Sequence, residues 1–313
     1  TLWSVNYLAR MVTKWTVACD KRLHKLISYL DSTQKWSQLC FVGDNPEDCW
    51  LALFCDASFA ADLVDSKSTS GVYLCLVGPR TFVPISWLCK KQTATSHSSS
   101  EAEVIALDAA VRLEGLPAVA LWELIIDVFA ENPGTARKNK RGRPLVNFPN
   151  YGMSFKELRT SGPAFDPFGE HEVLSEAHRL LNFHSDQVSM DNVYAMLASV
   201  DYVPPTLPMV TGLGKCVIFE DNDAVIKMTM RGRSPALRHV ARTHRIDLDW
   251  LFERLRTDPG IYMRYCGTLD QIADIFTKGS FTKEAWLRLC KLAQIGLYDS
   301  SSKDSGPKSI GGK

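Results

Sequence analysis

Residues 50–57 read Trp-Leu-Ala-Leu-Phe-Cys-Asp-Ala, an apolar run in which Asp56 is the single charged residue. An apolar run of this length, bounded by turn residues, is typical of a buried β-strand. Two more strands are predicted at 71–77 and 82–89, and the links between the strands are rich in turn residues. Because short links join neighbouring strands that run in opposite directions, the three strands predict an antiparallel meander.

The rest of the chain predicts alternating helices and strands. Residues 1–35 are expected to be helical, since their apolar positions recur at helical spacing. After the meander we expect a helix at 100–129 with an interruption at 115–117, a strand at 215–219, helical segments that include 242–256, a strand at 261–266 and a helix at 269–278. This order predicts an α/β fold whose mixed five-stranded sheet has three antiparallel strands, then parallel additions, and is flanked by helices.

Bulk composition excludes some classes of protein. The 313 residues carry a net charge of +1, so any nucleic-acid surface has to come from local clusters of basic residues. Nine cysteines without a Cys-x-x-Cys pair indicate reduced thiols of an intracellular protein. No apolar run has the length of a membrane span. Because Thr1 is neither an initiator Met nor the start of a signal peptide, we expect a fragment of a larger polyprotein.

Two carboxylates accompany predicted strands. Asp56 lies inside the first strand, where an ionised group among apolar neighbours is unfavourable unless it is paired or binds a metal. Asp221 follows the fourth strand, and functional groups gather at the carboxyl ends of strands in α/β sheets. A turn residue is the alternative for each, and for Asp221 this means the N-cap of the next helix.

The helix at 100–129 offers two further acids, Glu101 and Glu103. Side chains two residues apart on a helix point in different directions. Glu103 heads an apolar stripe at 106, 107, 110 and 111, which predicts that it faces the sheet, whereas Glu101 is expected to face water. A capping box that pairs Ser100 with Glu103 is the structural alternative.

Asp274 is the fourth candidate acid. From pattern alone it is expected to be a surface residue paired with Lys278, four positions later. If all four carboxylates converge, they suit two Mg²⁺ or Mn²⁺ ions about 4 Å apart, and a set without Cys or His disfavours zinc.

A series of short motifs surrounds the candidate acids. The motifs are Cys-Asp-Ala-Ser-Phe-Ala-Ala-Asp at 55–62, Asp-Ser-Lys-Ser-Thr-Ser-Gly at 65–71, Ile-Ser-Trp at 85–87 with Lys-Lys-Gln at 90–92, Ser-Ser-Glu-Ala-Glu at 99–103, Glu-Asp-Asn at 220–222, Arg-Thr-His-Arg-Ile-Asp at 242–247 and Asp-Gln-Ile-Ala-Asp-Ile-Phe-Thr-Lys at 270–278. In this order the series resembles the ribonuclease H domain of copia-type retrotransposon polyproteins, and the resemblance covers residues 50–128 and 214–295.

The resemblance implies a fold, a reaction and partners. The expected fold is the ribonuclease H-like sheet, and the expected reaction is two-metal hydrolysis of the RNA strand of an RNA–DNA hybrid. Asp56, Glu103, Asp221 and Asp274 would be the catalytic metal ligands, which overrides the surface interpretation of Asp274. The expected partners are the hybrid and the upstream reverse transcriptase of the same polyprotein. The expected location is a cytoplasmic virus-like particle, with the nucleus as an alternative.

The same resemblance divides the chain. The expected parts are the helical end of a reverse transcriptase at 1–45, the ribonuclease H-like domain at 46–130 and 214–295, a partly disordered insertion at 131–213 and a disordered tail at 296–313. A basic run at 137–143 within the insertion is interpreted as a nucleic-acid contact, a nuclear-import signal or a solubilising linker.

Polar and basic residues near the acids are candidate contacts for the phosphates and 2′-hydroxyls of a hybrid. They are Lys67, Ser68, Thr69, Ser70, Lys90, Lys91, Gln92, Arg242, His244 and Arg245. A solvated polar face is the alternative for each.

The chain also departs from the family. Phe59 replaces a usual Trp, and Val104 a usual Tyr. Glu220 stands where a small neutral residue is usual, and Asp223 adds another charge beside Asp221. No counterpart is found of the mobile His that related cellular enzymes carry near the last Asp. Two alternatives stay open: a catalytically inactive nucleic-acid-binding remnant, and an integrase-like nuclease, for which a Glu is expected in place of Asp274.

Overall fold

The computed structural model describes residues 2–62, 65–129, 212–232, 234 and 237–297, without the side chain of Arg242. The predicted insertion and tail therefore lie outside the described residues, apart from 212–213 and 296–297. Two compact units are present, Phe41–Lys278 and Thr1–Cys40 with Gly279–Lys313. We call them the sheet unit and the terminal unit. The described residues from Gly279 to Leu297 group with the N-terminal helices.

Within the described residues the strands are β1 (Trp36–Gln38), β2 (Trp50–Ser58), β3 (Thr69–Gly78), β4 (Thr81–Lys91), β5 (Cys216–Glu220), β6 (Ile261–Tyr265) and β7 (Ile295–Leu297). The α-helices in the same part of the chain are α1 (Leu2–Arg10), α2 (Val17–Ser32), α3 (Ser99–Ala109), α4 (Leu116–Phe129), α5 (Asp223–Arg231), α6 (Val240–His244), α7 (Leu248–Thr257), α8 (Asp274–Thr277) and α9 (Lys283–Leu292).

A mixed five-stranded sheet forms the centre of the sheet unit. Its strand order is β4-β3-β2-β5-β6. The pairs β2–β3 and β3–β4 are antiparallel, whereas β5 pairs in parallel with both β2 and β6. The predicted α/β fold is confirmed, and its topology is consistent with a ribonuclease H-like fold. Strand β2, which contains Asp56, is the central strand.

Strand β2 is buried on both faces, as its apolar composition predicts. Leu53 and Cys55 belong to the hydrophobic core that also contains Leu107 of α3. Phe54, on the opposite face, stacks on Phe219 of β5 with ring centroids 4.7 Å apart. Because successive side chains of a strand alternate between faces, Asp56 lies on the same face of β2 as Phe54.

The predicted interruption at 115–117 is a change of helix type. Helix α3 passes into a π-helical stretch, Ala110–Gly115, and α4 begins at Leu116. Pro117 stands in the first turn of α4, directly after the π-helical stretch. The helical path therefore continues without a break.

Two other helix predictions need correction. The segment predicted as one helix over 242–256 is divided between α6 and α7, because Arg245 adopts a left-handed backbone with φ 56°. The helix predicted at 269–278 is reduced to α8, which is preceded by turns. Asp247 supplies the N-cap that starts α7 by accepting a hydrogen bond from Trp250 N.

The terminal unit contains α1, α2, β1, α9 and β7. Helicity is confirmed for most of residues 1–35, as α1, a 3₁₀ turn and α2. Strands β1 and β7 pair antiparallel. Trp286 Nε1 donates a hydrogen bond of 3.1 Å to the Tyr29 hydroxyl, which joins α9 to α2.

No helix in the described part of the chain is long and apolar enough to cross a membrane. All nine cysteines are free, as the sequence predicts. Cys40 is exposed, and the other eight are buried.

Candidate metal centre

Three of the four predicted acids meet at one end of the sheet. Asp56, Glu103 and Asp221 each place a carboxylate oxygen within 4.8 Å of the other two. We call these three residues the acidic cluster. Asp56 and Glu103 are buried, and Asp221 is partly exposed. Among the described residues it is the one group of three potential metal ligands that is this compact.

Asp56 is held by its neighbours on two elements. Its partner in the antiparallel register is Gly71 of β3. The hydroxyl of Thr277, in α8, donates a short hydrogen bond to Asp56 Oδ2. Upstream of α8, Gln271 Nε2 donates to the carbonyl oxygen of Cys55 at 2.9 Å. The segment 271–277 is therefore anchored on the strand next to Asp56.

Glu103 reaches the cluster from the first turns of α3, on the apolar side predicted by helical periodicity. The Ala57 N–H donates a hydrogen bond to its carboxylate. The alternative of a capping box between Ser100 and Glu103 is wrong. The N-cap of α3 is Ser98, whose Oγ accepts a hydrogen bond from Glu101 N at 3.1 Å.

Asp221 directly follows β5 and precedes α5. The N-cap of α5 is Asn222, whose Oδ1 accepts a hydrogen bond from Ala224 N at 3.0 Å. The capping alternative for Asp221 therefore does not hold, and its side chain is placed in the acidic cluster.

Asp274 combines both interpretations made from the sequence. Its Oδ2 lies 2.6 Å from Lys278 Nζ, which is the predicted ion pair. Its side chain is buried, however, and interacts electrostatically with Asp56 and Asp221. Asp274 therefore lies next to the acidic cluster but is not one of its three members.

Burial and mutual repulsion favour protonation of these acids. Burial, with the nearby carboxylates of Glu220, Asp56 and Asp221, raises the pKa of Glu103 to about 11. Burial and the Asp56 carboxylate raise the pKa of Asp274 to about 7, although Lys278 opposes the shift. Burial and Asp56 also raise the pKa of Asp221. Several carboxylates that cannot all ionise without a counter-charge create a place for cations.

Glu220 is a further acid that the motif comparison treated only as a departure. It is fully buried at the end of β5, where it accepts a hydrogen bond from Cys55 Sγ at 3.3 Å and one from Asn222 N at 3.2 Å. Burial and the Asp221 carboxylate raise the pKa of Glu220 well above its usual range, although the hydrogen bonds from Cys55 and Asn222 oppose this. Its carboxyl group therefore lies beside the cluster, on the face of the sheet that packs against α3.

The donor set fits a hard divalent cation. All ligand atoms are carboxylate oxygens, the type that Mg²⁺ and Mn²⁺ prefer. Two of the buried oxygens, Glu103 Oε2 and Asp274 Oδ1, have no hydrogen-bond partner among the described residues. Unpaired buried carboxylate oxygens are unfavourable, and a bound cation removes that penalty.

The predicted substrate contacts lie in different environments. Ser68, Thr69, Ser70 and Gln92 are buried, and Gln92 Nε2 donates to Ser70 Oγ at 3.0 Å. Lys91 Nζ binds Asp62 at 2.5 Å and Asp65 at 2.8 Å.

The remaining candidates are basic or imidazole side chains. Lys90 and Arg245 are exposed, and Lys67 is partly exposed. His244 is buried. The side chain of Arg242 lies outside the described residues. Exposed positions able to meet a polyanion are therefore Lys90, Arg245 and, in part, Lys67.

The expectation that Glu101 faces water is wrong. Glu101 is 1% exposed, and its carboxylate is surrounded by three histidines, His97, His239 and His244. Periodicity within α3 could not detect this, because two of the histidines come from a segment far along the chain. His97, four residues before Glu101, was the only local sign of the contact.

The chain matches no protein-family model, no curated protein and no solved structure in the comparisons made with them.

Proposed function

We propose that the sheet unit is a metal-dependent ribonuclease that hydrolyses the RNA strand of RNA–DNA hybrids, as part of a copia-type retrotransposon polyprotein and together with its reverse transcriptase. The observation that carries the proposal is the meeting of Asp56, Glu103 and Asp221, with Asp274 beside them, at one end of a ribonuclease H-like sheet. The ordered motifs around these four residues support it independently.

Each acid has a defined part in this proposal. Asp56 and Glu103 would hold the cations from the buried side, and Asp221 from the exposed side of the cluster. Asp274 would complete the set, with Lys278 balancing its charge until cations bind. Two bound Mg²⁺ or Mn²⁺ ions would supply a water of lowered pKa and stabilise charge at the leaving 3′-oxygen.

The substrate is expected to bind along the exposed side of the same sheet end. Lys90 and Lys67, with Arg245, offer exposed or partly exposed positive charge for phosphates. The expected site of action is a cytoplasmic virus-like particle, with the nucleus as the alternative.

The test is an assay of the purified full chain on a labelled RNA–DNA hybrid, with Mg²⁺ or Mn²⁺ against EDTA. We expect metal-dependent cutting of the RNA strand that Asp56→Asn abolishes. Asp249→Asn is the matched control, because Asp249 is an exposed acid on α7 and its loss should leave cutting unchanged. Cutting or strand transfer on duplex DNA would favour the integrase-like alternative instead.

Glu220 favours a second candidate, an inactive nucleic-acid-binding remnant of the same fold. An extra buried carboxylate raises the proton affinity of the cluster, and protons compete with metal. If the folded chain binds the hybrid in the presence of Mg²⁺ or Mn²⁺ without cutting it, this second candidate is the better account.

A further inference from the structure

We propose that Glu101, His239 and His244 form a second metal site, separate from the acidic cluster, that binds a transition-metal ion such as Zn²⁺. We call these three residues the histidine cluster; His97 lies at its edge. It lies within the sheet unit, where the loop before α3 and the first turn of α3 meet α6 and its N-cap residue, His239.

Each of the two histidines lies at a ligand-like distance from the Glu101 carboxylate. His239 Nε2 lies 3.1 Å from Glu101 Oε2, and His244 Nε2 lies 3.3 Å from Glu101 Oε1. Zinc binds nitrogen and oxygen ligands at about 2.0–2.2 Å in tetrahedral geometry, which separates neighbouring ligand atoms by roughly 3.3–3.6 Å. The observed nitrogen–oxygen separations are close to that spacing.

The polar atoms of the cluster are also unsatisfied. Glu101 Oε1, His239 Nε2 and both ring nitrogens of His244 are buried and have no well-formed hydrogen bond to any described residue. The side chains of Glu101 and His244 are each 1% exposed. Buried polar groups are nearly always hydrogen-bonded, so these atoms, which contact one another without a well-formed hydrogen bond, are an arrangement that a shared cation would stabilise.

The donor types select a different ion from that of the acidic cluster. Imidazole nitrogens suit Zn²⁺ and its neighbours among the transition metals, whereas Mg²⁺ prefers oxygen alone. Two histidines and one glutamate are a ligand set found in zinc sites that keep an open position. His239 has a side chain 39% exposed, which gives an ion access from solvent.

Binding requires a small closure of the cluster. His239 and His244 contact different oxygens of the Glu101 carboxylate. Their ligand atoms are therefore farther apart than those of the acidic cluster, which all lie within 4.8 Å of one another. The His239 side chain is 39% exposed and that of His244 is 1% exposed, so rotation of His239 is the expected movement. His97, whose ring centroid is 4.9 Å from that of His239, is placed to follow it as a further ligand.

The experiment uses the full chain stripped of metal and titrated with Co²⁺ in excess Mg²⁺, which occupies the oxygen-only acidic cluster. Visible absorption of tetrahedral Co²⁺ reports binding, and displacement by Zn²⁺ gives the zinc affinity. We expect one equivalent to bind, His239→Ala to weaken it at least about tenfold, and Asp56→Asn to leave it unchanged. Melting of His239→Ala in EDTA should match that of the unmodified chain, because the side chain is partly exposed.

Two results would overturn the proposal. One is Co²⁺ binding by His239→Ala and by Glu101→Gln with the same affinity as by the unmodified chain. This result would place the ion elsewhere, for example on thiols. The other is loss of binding in Asp56→Asn with retention in His239→Ala, which would assign the ion to the acidic cluster. Both results are independent of whether the chain cuts RNA.

Discussion

Gly71 lies directly opposite Asp56 in the antiparallel pairing of β2 with β3, and the space that a side chain at Gly71 would occupy is filled by the segment carrying Asp274. A Cβ atom at Gly71 would lie 2.6 Å from Thr277 Cγ2 and 2.9 Å from the carbonyl oxygen of Ala273. The glycine therefore allows α8 to approach the sheet closely enough for Thr277 to donate its hydrogen bond to Asp56.

Gly71→Ala should displace α8 and weaken the acidic cluster. A clash with the Ala273 backbone oxygen cannot be relieved by side-chain rotation, and overpacking of this kind costs about 1–3 kcal/mol. We expect a lower free energy of unfolding and a smaller stabilisation by Mg²⁺, measured by denaturant unfolding with and without the cation. Gly267→Ala is the control, because a Cβ there meets no atom within 4 Å. Equal behaviour of the two variants would contradict the close approach.

Glu103→Gln should stabilise the metal-free chain and remove its response to metal. The pKa of Glu103 is raised from 4.5 to about 11 in the folded state, so the folded chain keeps a proton that the unfolded chain releases. Stability in EDTA should therefore fall as the pH rises between these two values, because the unfolded state binds fewer protons.

In Glu103→Gln this pH dependence should be reduced, and the melting temperature in EDTA at pH 8 should rise by several degrees, since about 1 kcal/mol corresponds to about 2–4 °C in a domain of this size. Mg²⁺ should raise the melting temperature of the unmodified chain more than that of the variant. Calorimetry at pH 5 and pH 8, with EDTA or Mg²⁺, measures both effects. A variant that melts below the unmodified chain at pH 8 in EDTA would contradict the prediction.

Glu220→Gln should strengthen metal binding by the acidic cluster. Replacing the fully buried acid with a neutral amide removes one of the carboxylates that raise the pKa of Glu103, so fewer protons compete with the cation. The amide oxygen can still accept the hydrogen bond from Asn222 N. We expect Mn²⁺ affinity at neutral pH, measured by isothermal titration calorimetry, to rise several-fold. Asp249→Asn, which removes an exposed acid on α7, is the control for a general loss of negative charge.

Substitutions of Lys90 and of Lys91 should have different effects, one on binding of the hybrid and the other on the stability of the fold. Lys90 is exposed, so Lys90→Ala should weaken hybrid binding and reduce the slope of log affinity against log salt by about 1, with the unfolding free energy unchanged within about 0.5 kcal/mol. Lys91 forms ion pairs with Asp62 and Asp65, so Lys91→Ala should lower stability instead. Fluorescence anisotropy at several salt concentrations, with denaturant unfolding, tests the pair. An unchanged salt slope in Lys90→Ala would remove Lys90 from the substrate surface.

The sequence by itself determined the sheet and the placement of Glu103. Apolar runs separated by turn residues are sufficient to define β2 and β3, because a strand buried on both faces needs nearly continuous apolar residues. Helical periodicity was sufficient to choose Glu103 over Glu101 for the sheet side, since an apolar stripe has to pack on the sheet. Both features depend on residues that are close in the chain.

Only the tertiary structure decided what surrounds the acids. Glu101 is buried because His239 and His244 cover it, and no local period encodes a contact between distant segments. Burial and the Asp56 carboxylate raise the pKa of Asp274, because Gly71 and the Gln271 hydrogen bond let α8 approach β2. Glu220 matters through complete burial, which its position beside Asp221 did not reveal. Burial and electrostatic coupling are properties of packed surfaces, and these surfaces exist only once the strands and helices have assembled.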